Sequence, residues 1–337
     1  MTTERSTSAT GRTTRIAQVG LGQWGKNLAR NFDELGDLIW LCDIDAERRA
    51  DLAQRYPDAT MTADFEDVLA DDSVDAIVVA TPVPTHHELA RRSLEAGKHV
   101  FVEKPPAMRG AEMEELTELA EERGRVLMPG HLLLYHPGVQ KLKEIVDSGD
   151  LGDVLCVYGN RQNLGTIRTH ENALWSLGVH DLSVLLYLIG EEPTELWAHG
   201  HAFLNPNVED IVFCYLRFPS GKIAHLHLSW LDPHKIRRIT VVGRDKMAVF
   251  DDMEPERKVT VYDKAPEEPT TIYGEWRTRT GDIHSPKVPL LEPLRLECRH
   301  FLNLVAGEGD PLRAARDGVL VVRALEQLQA SLETVTA

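Results

Sequence analysis

The chain has little of what marks a nucleic-acid, membrane or metal protein. Lys and Arg total 37 against 53 Asp and Glu, a formal net charge of −16. Neutralising phosphates needs a basic surface, so no nucleic-acid partner is expected. No apolar run approaches the ~20 residues of a membrane-spanning helix, so no membrane partner is expected either. There are four cysteines, Cys42, Cys156, Cys214 and Cys298, and no pair has metal-ligand spacing. They read as buried free thiols of a reducing compartment. His199 and His201, like His225 and His227, alternate with apolar residues without an acid or a third ligand at metal spacing, so no metal is assigned. Met1 to Thr14 is rich in Ser and Thr and lacks the apolar core of a secretion signal. It reads as a disordered tail, residues 1–14, on a cytoplasmic protein. No internal repeat is visible.

What remains is ordinary globular composition, 42% hydrophobic and 27% charged over 337 residues. That length favours two domains over one core. Strands and helices alternate from Arg15: a strand to Val19, a helix over Trp24 to Leu35, and a strand from Asp37 to Cys42. A buried strand (Val74 to Ala80), a helix (Thr85 to Glu95) and a strand (His99 to Val102) follow. The series ends on a helix, Arg109 to Arg123, and a strand, Arg125 to Met128. This order predicts a parallel sheet covered on both faces. After about Gly130 the pattern becomes a helix, a strand, an apolar helix over Leu174 to Ile189, and then several strands in succession. Pro266 to Pro289 reads as a long loop, and Pro293 to Ala306 and Ala314 to Glu333 as closing helices. The expected fold class is α/β. Residues 15–130 would form the parallel-sheet domain and residues 131–337 an α+β domain with a mostly antiparallel open sheet, for substrate binding and oligomerisation.

Gly20-Leu21-Gly22-Gln23-Trp24-Gly25 is a G-x-G-x-x-G turn that leaves a strand and opens a helix. Asp43 ends the next strand, where a ribose-binding acid belongs. Glycines allow close approach of backbone to a pyrophosphate, and the helix N-terminus offers its free N–H groups. The expectation is a Rossmann domain. Asp43 would accept ribose hydroxyls and repel a 2′-phosphate, which favours NAD over NADP. Gly20, Gly22, Gln23, Trp24, Gly25 and Asp43 are the cofactor residues at this turn. Thr81-Pro82 and Glu103 join them, because ligands bind at the carboxyl ends of parallel strands. His86 is counted on the cofactor side, with packing as the alternative. Lys104, placed between Glu103 and Pro105, sits where a lysine can bond a reacting hydroxyl and steady a developing alkoxide.

The Gly20 to Gly25 turn, Ala80-Thr81-Pro82, Glu103-Lys104-Pro105 and His180-Asp181 together resemble the glucose-fructose oxidoreductase / inositol dehydrogenase / MocA family over nearly the whole chain. The resemblance implies that Lys104 is catalytic. The family's Asp-x-x-x-His pattern falls on Ser176 and His180, so the histidine is kept and the aspartate is not. Asn163 to Arg168, Glu171 to Trp175, His180 to Ser183 and Ser229 to Lys235 resemble its nucleotide-sugar branch. That branch implies UDP-N-acetylglucosamine or its uronate as substrate, oxidised at C3. Asn172, Ser176 and His180 stand four apart and would share a helical face meeting Lys104 across the domain interface. His180 would take the hydroxyl proton, with Lys104 holding the oxygen; the reverse assignment stays open. Arg161, Asn163 and Arg168 are the remaining substrate candidates. An inositol or free-sugar dehydrogenase, a deoxysugar 3-ketoreductase and a catalytically silent NAD-binding regulator are the alternatives. A homodimer or homotetramer is expected by analogy of fold.

Overall fold

The computed structural model describes residues 13–267 and 276–336. The expected tail lies outside the described residues up to residue 12. Its last member, Thr14, is buried, and its carbonyl accepts the Asp37 N–H at 3.0 Å, so ordered chain begins before Arg15. Two compact units divide the chain: residues 1–132 with 292–323, and residues 133–291 with 324–337.

The first unit opens with β1 (Arg15–Val19), α1 (Gln23–Leu35), β2 (Asp37–Cys42), α2 (Ala46–Ala53), β3 (Thr60–Thr62) and α3 (Phe65–Ala70). It continues with β4 (Ala76–Val79), α4 (His86–Glu95), β5 (His99–Glu103), α5 (Gly110–Arg123) and β6 (Leu127–Gly130). All pairings are parallel, in the order β3-β2-β1-β4-β5-β6. Every residue of β4 is buried, as expected of a strand covered on both faces. The order reverses between β1 and β4, which opens a crevice at their carboxyl ends. β3 is only three residues long and lacks an apolar period, so the sequence did not announce it.

The second unit holds α6 (Pro137–Asp147), β7 (Val154–Gln162), α7 (Val179–Ile189), β8 (Glu195–His201), β9 (Ile211–Arg217) and β10 (Ile223–Ser229). It goes on through β11 (Ile236–Gly243), β12 (Met247–Asp251), β13 (Val259–Glu267) and β14 (Arg277–His284). The sheet order is β14-β13-β12-β11-β7-β10-β9-β8, antiparallel except between β7 and β10. α7 packs on β7 and β10, and α6 on β12. The opposite face carries stacked rings: Trp197 on Tyr215 at 5.3 Å, Tyr158 on His225 at 4.8 Å and Phe213 on His227 at 4.4 Å. Among the described residues no group of side chains is arranged to hold a metal, and no helix is long and apolar enough to cross a membrane.

Three expectations are corrected. Pro266 to Pro289 is not a continuous loop: β13 extends to Glu267 and pairs with β14, while residues 268–275 lie outside the described residues. β14 is polar and almost wholly exposed, so it shows no apolar alternation. The stretch expected as one helix from Leu174 to Ile189 begins with a π-helical turn, Leu174–Gly178. Finally, α8 (Pro293–Val305) and the start of α9 (Arg313–Thr336) belong to the first unit, not the second. Phe301 of α8 meets Phe32 and Phe101 edge-on, with ring centroids 6.0 and 5.8 Å apart. Arg30 and Asn31 of α1 bond Glu292 just before α8. Such long-range packing leaves no mark in local periodicity.

Candidate active site

In the first unit the glycine turn follows from close contacts. Gly20 has φ +95°, and a Cβ there would fall on the Ala80 carbonyl. A Cβ on Gly25 would fall on the Gly20 carbonyl oxygen. The fold itself therefore requires both glycines. Gly22 differs: a Cβ there would meet only Arg48 Nη1, at 3.9 Å. Among the described residues nothing forbids a side chain at Gly22, so the absent atom leaves room for something outside them. Gly22 caps α1 without a side-chain hydrogen bond, and the first turn of α1 has no acidic residue. That helix end is open to an anion.

Asp43 is buried beside the turn. Its Oδ2 accepts the Leu21 N–H at 2.7 Å and lies 3.5 Å from Arg48 Nη1; its Oδ1 accepts the Asp45 N–H at 2.9 Å. Each oxygen keeps a lone pair for a hydroxyl. A dinucleotide with a diphosphate and a ribose diol fits these donors and acceptors. Gln18 was missed by sequence reasoning. It is buried under the turn, and its Nε2 donates to the Gly20 and Gly25 carbonyls at 3.0 and 2.7 Å. A lone amide within the apolar strand Arg15–Val19 was the available signal.

The strand ends supply the rest. Gln23 and Trp24 are exposed at the start of α1, and the Trp24 indole N–H donates to Glu103 Oε1 at 2.5 Å. Thr81, half-buried, shares a hydroxyl hydrogen bond with Thr85 at 2.7 Å, and Pro82 is exposed. Lys104 is half-buried, and its backbone N–H donates to Glu103 Oε2 at 3.2 Å. Burial raises the Glu103 carboxyl to about 7, against the lowering pull of Trp24 and Lys104. His131 follows β6, whose Gly130 pairs with Glu103. Burial, with the Lys104 charge, lowers His131 to about 4. Its isolated position in the sequence gave no signal. His86, expected on the cofactor side with packing as the alternative, is 1% exposed and turned onto backbone carbonyls, as packing requires.

In the second unit the candidate residues separate into two groups. Arg161 is buried, and its guanidinium is ion-paired with buried Asp181 through Nε and, at 3.4 Å, Nη2. Asn172 is buried as well. Its amide donates to Glu209 Oε2 at 2.7 Å and Gln329 Oε1 at 2.8 Å, and its Oδ1 accepts the Trp175 N–H. Both residues were expected to contact substrate; each is bonded to partners inside the unit. Ser176 is buried in the π-helical turn, and His180 follows it, half-buried, as the second residue of α7. Wider π-helical bonding breaks the 3.6-residue repeat from which a shared face was expected. Asn163 is half-buried, and Arg168 is 52% exposed, pairing with Glu171 at 2.9 Å. These two, with His180, are the candidates that keep accessible surface.

Comparison with known proteins places both units. The profile of an oxidoreductase family with an NAD-binding Rossmann fold, GFO_IDH_MocA, matches residues 14–131, and the GFO/IDH/MocA C-terminal domain matches residues 139–249. The UDP-N-acetylglucosamine 3-dehydrogenase of Acidithiobacillus ferrooxidans is 28% identical over 240 residues, 70% of this chain and 74% of the relative. Its solved structure superposes with a TM-score of 0.80 at 25% identity, covering 96% of this chain and 99% of that one. The scyllo-inositol 2-dehydrogenase (NAD(+)) of Bacillus subtilis is 26% identical over 313 residues, 88% of each chain.

Proposed function

Because this chain belongs to the Gfo/Idh/MocA oxidoreductase family and carries its NAD-binding Rossmann domain, we propose that it oxidises the C3 hydroxyl of a nucleotide-linked sugar to a ketone. The sugar is UDP-N-acetylglucosamine or its uronate. The observation that carries this reading is the carboxyl edge of the parallel sheet. There the open Gly22, Asp43 and Lys104 follow strands of one sheet, as a dinucleotide and a reacting alcohol require. The relative that oxidises UDP-N-acetylglucosamine, at 28% identity, supports the sugar.

Bound NAD supplies the hydride acceptor, nicotinamide C4. His180 takes the hydroxyl proton, since an imidazole nitrogen can accept it. Lys104 donates a hydrogen bond to the oxygen and steadies the charge that grows as the hydride leaves. Alcohol and NAD⁺ thus become ketone, NADH and one proton. Asn163 and Arg168 read the rest of the substrate, Arg168 as a cation for a carboxylate or diphosphate. The first unit, with Glu292–Arg323 bracing it, serves the cofactor, and the second unit serves the substrate. The half-exposed Trp197 and Phe213 support a homo-oligomer built on the open sheet face, and the free cysteines a reducing, cytoplasmic setting. The inositol dehydrogenase relative supports a cyclitol as the second reading of the substrate.

The test supplies NAD with UDP-N-acetylglucosamine, its uronate or inositol, and follows NADH by absorbance and product by mass. 2-Oxoglutarate is included in parallel to reoxidise tightly held cofactor. Turnover of a UDP-sugar, lost in Lys104→Ala and His180→Ala, is expected. Turnover of inositol alone selects the second reading.

A further inference from the structure

The ladder between β4 and β5 ends at Val79 opposite Val102, two residues short of Lys104. On the other side β5 is paired as far as Glu103, opposite Gly130. On the β4 side, past the ladder, His86 makes a link. Its Nε2 lies 2.7 Å from the Thr81 carbonyl oxygen, and its Nδ1 lies 2.8 Å from the Pro105 carbonyl oxygen. One carbonyl follows β4; the other immediately follows Lys104. The ring sits at the start of α4, after a short 3-10 turn, Val83–Thr85, and is almost completely buried. It is close enough to Lys104 to feel its charge.

We propose that His86 is a positioning residue for Lys104, its imidazole tying the ends of β4 and β5 through the Thr81 and Pro105 carbonyls and so fixing the backbone from which the lysine projects. The inference rests on Lys104 acting in the reaction and deepens that reading. A carbonyl oxygen only accepts, so a neutral ring donates to one of the two and a protonated ring to both. Apolar side chains at this position donate to neither carbonyl and leave the one the ring had satisfied without that donor. The expected consequence is displacement of Lys104, and about 1 Å of misplacement costs on the order of 100-fold in rate.

The experiment compares His86→Leu and His86→Gln in the full-length chain. In His86→Leu, kcat should fall on the order of 100-fold while KM for NAD stays within about threefold. His86→Gln, which keeps an N–H donor, should recover part of the loss and guards against misfolding of the leucine variant. In the Lys104→Ala background, His86→Leu should cost nothing further, because both act through one group. An independent readout needs no substrate: lysines are reductively methylated with a ¹³C label, and the Lys104 signal, identified by its loss in Lys104→Ala, is titrated. Its titration should move in His86→Leu. An unchanged kcat and Lys104 titration in both His86 variants overturns the proposal, as do losses that multiply with Lys104→Ala. Should Lys104→Ala keep full turnover while the titration still moves, the tie stands and the catalytic reading of Lys104 fails.

Discussion

Gly22 and Asn172 were both read as ligand-contacting residues, one in each unit, and the structure treats them oppositely. Gly22 borders open space at the start of α1, with no side-chain cap and no acidic residue in the first helical turn. Asn172 spends its amide on Glu209 and Gln329 and its oxygen on Trp175. The first unit keeps its binding groups by subtraction, leaving the backbone N–H groups at the start of α1 without a side chain over them. The second binds much of its polar chemistry to itself, as the Arg161–Asp181 pair also shows. A polar residue ahead of a helix is therefore a weaker sign of a ligand than a missing Cβ with nothing in its place.

Substitutions can break this contrast, and the largest effects separate the units most cleanly. Lys104→Ala should lower kcat by about 10²–10⁴ with little change in unfolding. Arg161→Ala should instead unfold the protein more easily, by about 3–5 kcal/mol in urea titration, because it strands a buried carboxylate. If Arg161→Ala keeps its stability and loses only substrate affinity, Arg161 is a ligand contact after all. Within the glycine turn, Gly20→Ala should destabilise by about 1–3 kcal/mol, since the new methyl strikes the Ala80 carbonyl at a positive φ. Gly22→Ala should leave the melting temperature nearly unchanged and weaken NAD binding at least tenfold, measured by calorimetry. Asn172→Ala should cost about 1–3 kcal/mol through the lost amide bonds to Glu209 and Gln329, with KM for the sugar close to wild type.

The smallest effect is a pH dependence within the first unit. His99 and His131 are each lowered to about 4, chiefly by burial, from an ordinary value of 6.5. Between these values the unfolded chain binds protons that the folded chain refuses. Stability is therefore fully present above about pH 6.5 and falls as pH drops towards 4. His131→Phe should flatten that slope in melting temperature measured from pH 7 to pH 4.5. Glu103 works in the other direction. Its carboxyl, raised to about 7, lets stability decline as pH rises from about 4.5 to 7, and Glu103→Gln should help more at pH 8 than at pH 5.

The parallel sheet and its glycine turn were legible because local rules and the fold agree there. Apolar strands alternate with helices, and Gly20 and Gly25 are glycine for reasons of contact with adjacent backbone. β14 was not legible, since an exposed edge strand needs no apolar face. Nor was the return of α8 to the first unit, which depends on Phe301 meeting Phe32 and Phe101. Lys104 could be placed from its strand end alone. His86, in contrast, read as a cofactor neighbour, because sequence does not reveal that both its nitrogens turn inward to carbonyls. The partners of Arg161 and Asn172 were hidden for a related reason: Asp181, Glu209 and Gln329 lie 20 to 157 residues away.

The proposed reaction moves a hydride from a sugar carbon to NAD. The most direct test is one turnover of UDP-N-acetylglucosamine deuterated at C3, with the mass of the reduced cofactor read afterwards. NADH heavier by one unit, and a ketone at C3 without deuterium there, is the predicted result. NADH of ordinary mass, or a product that keeps deuterium at C3, would contradict it.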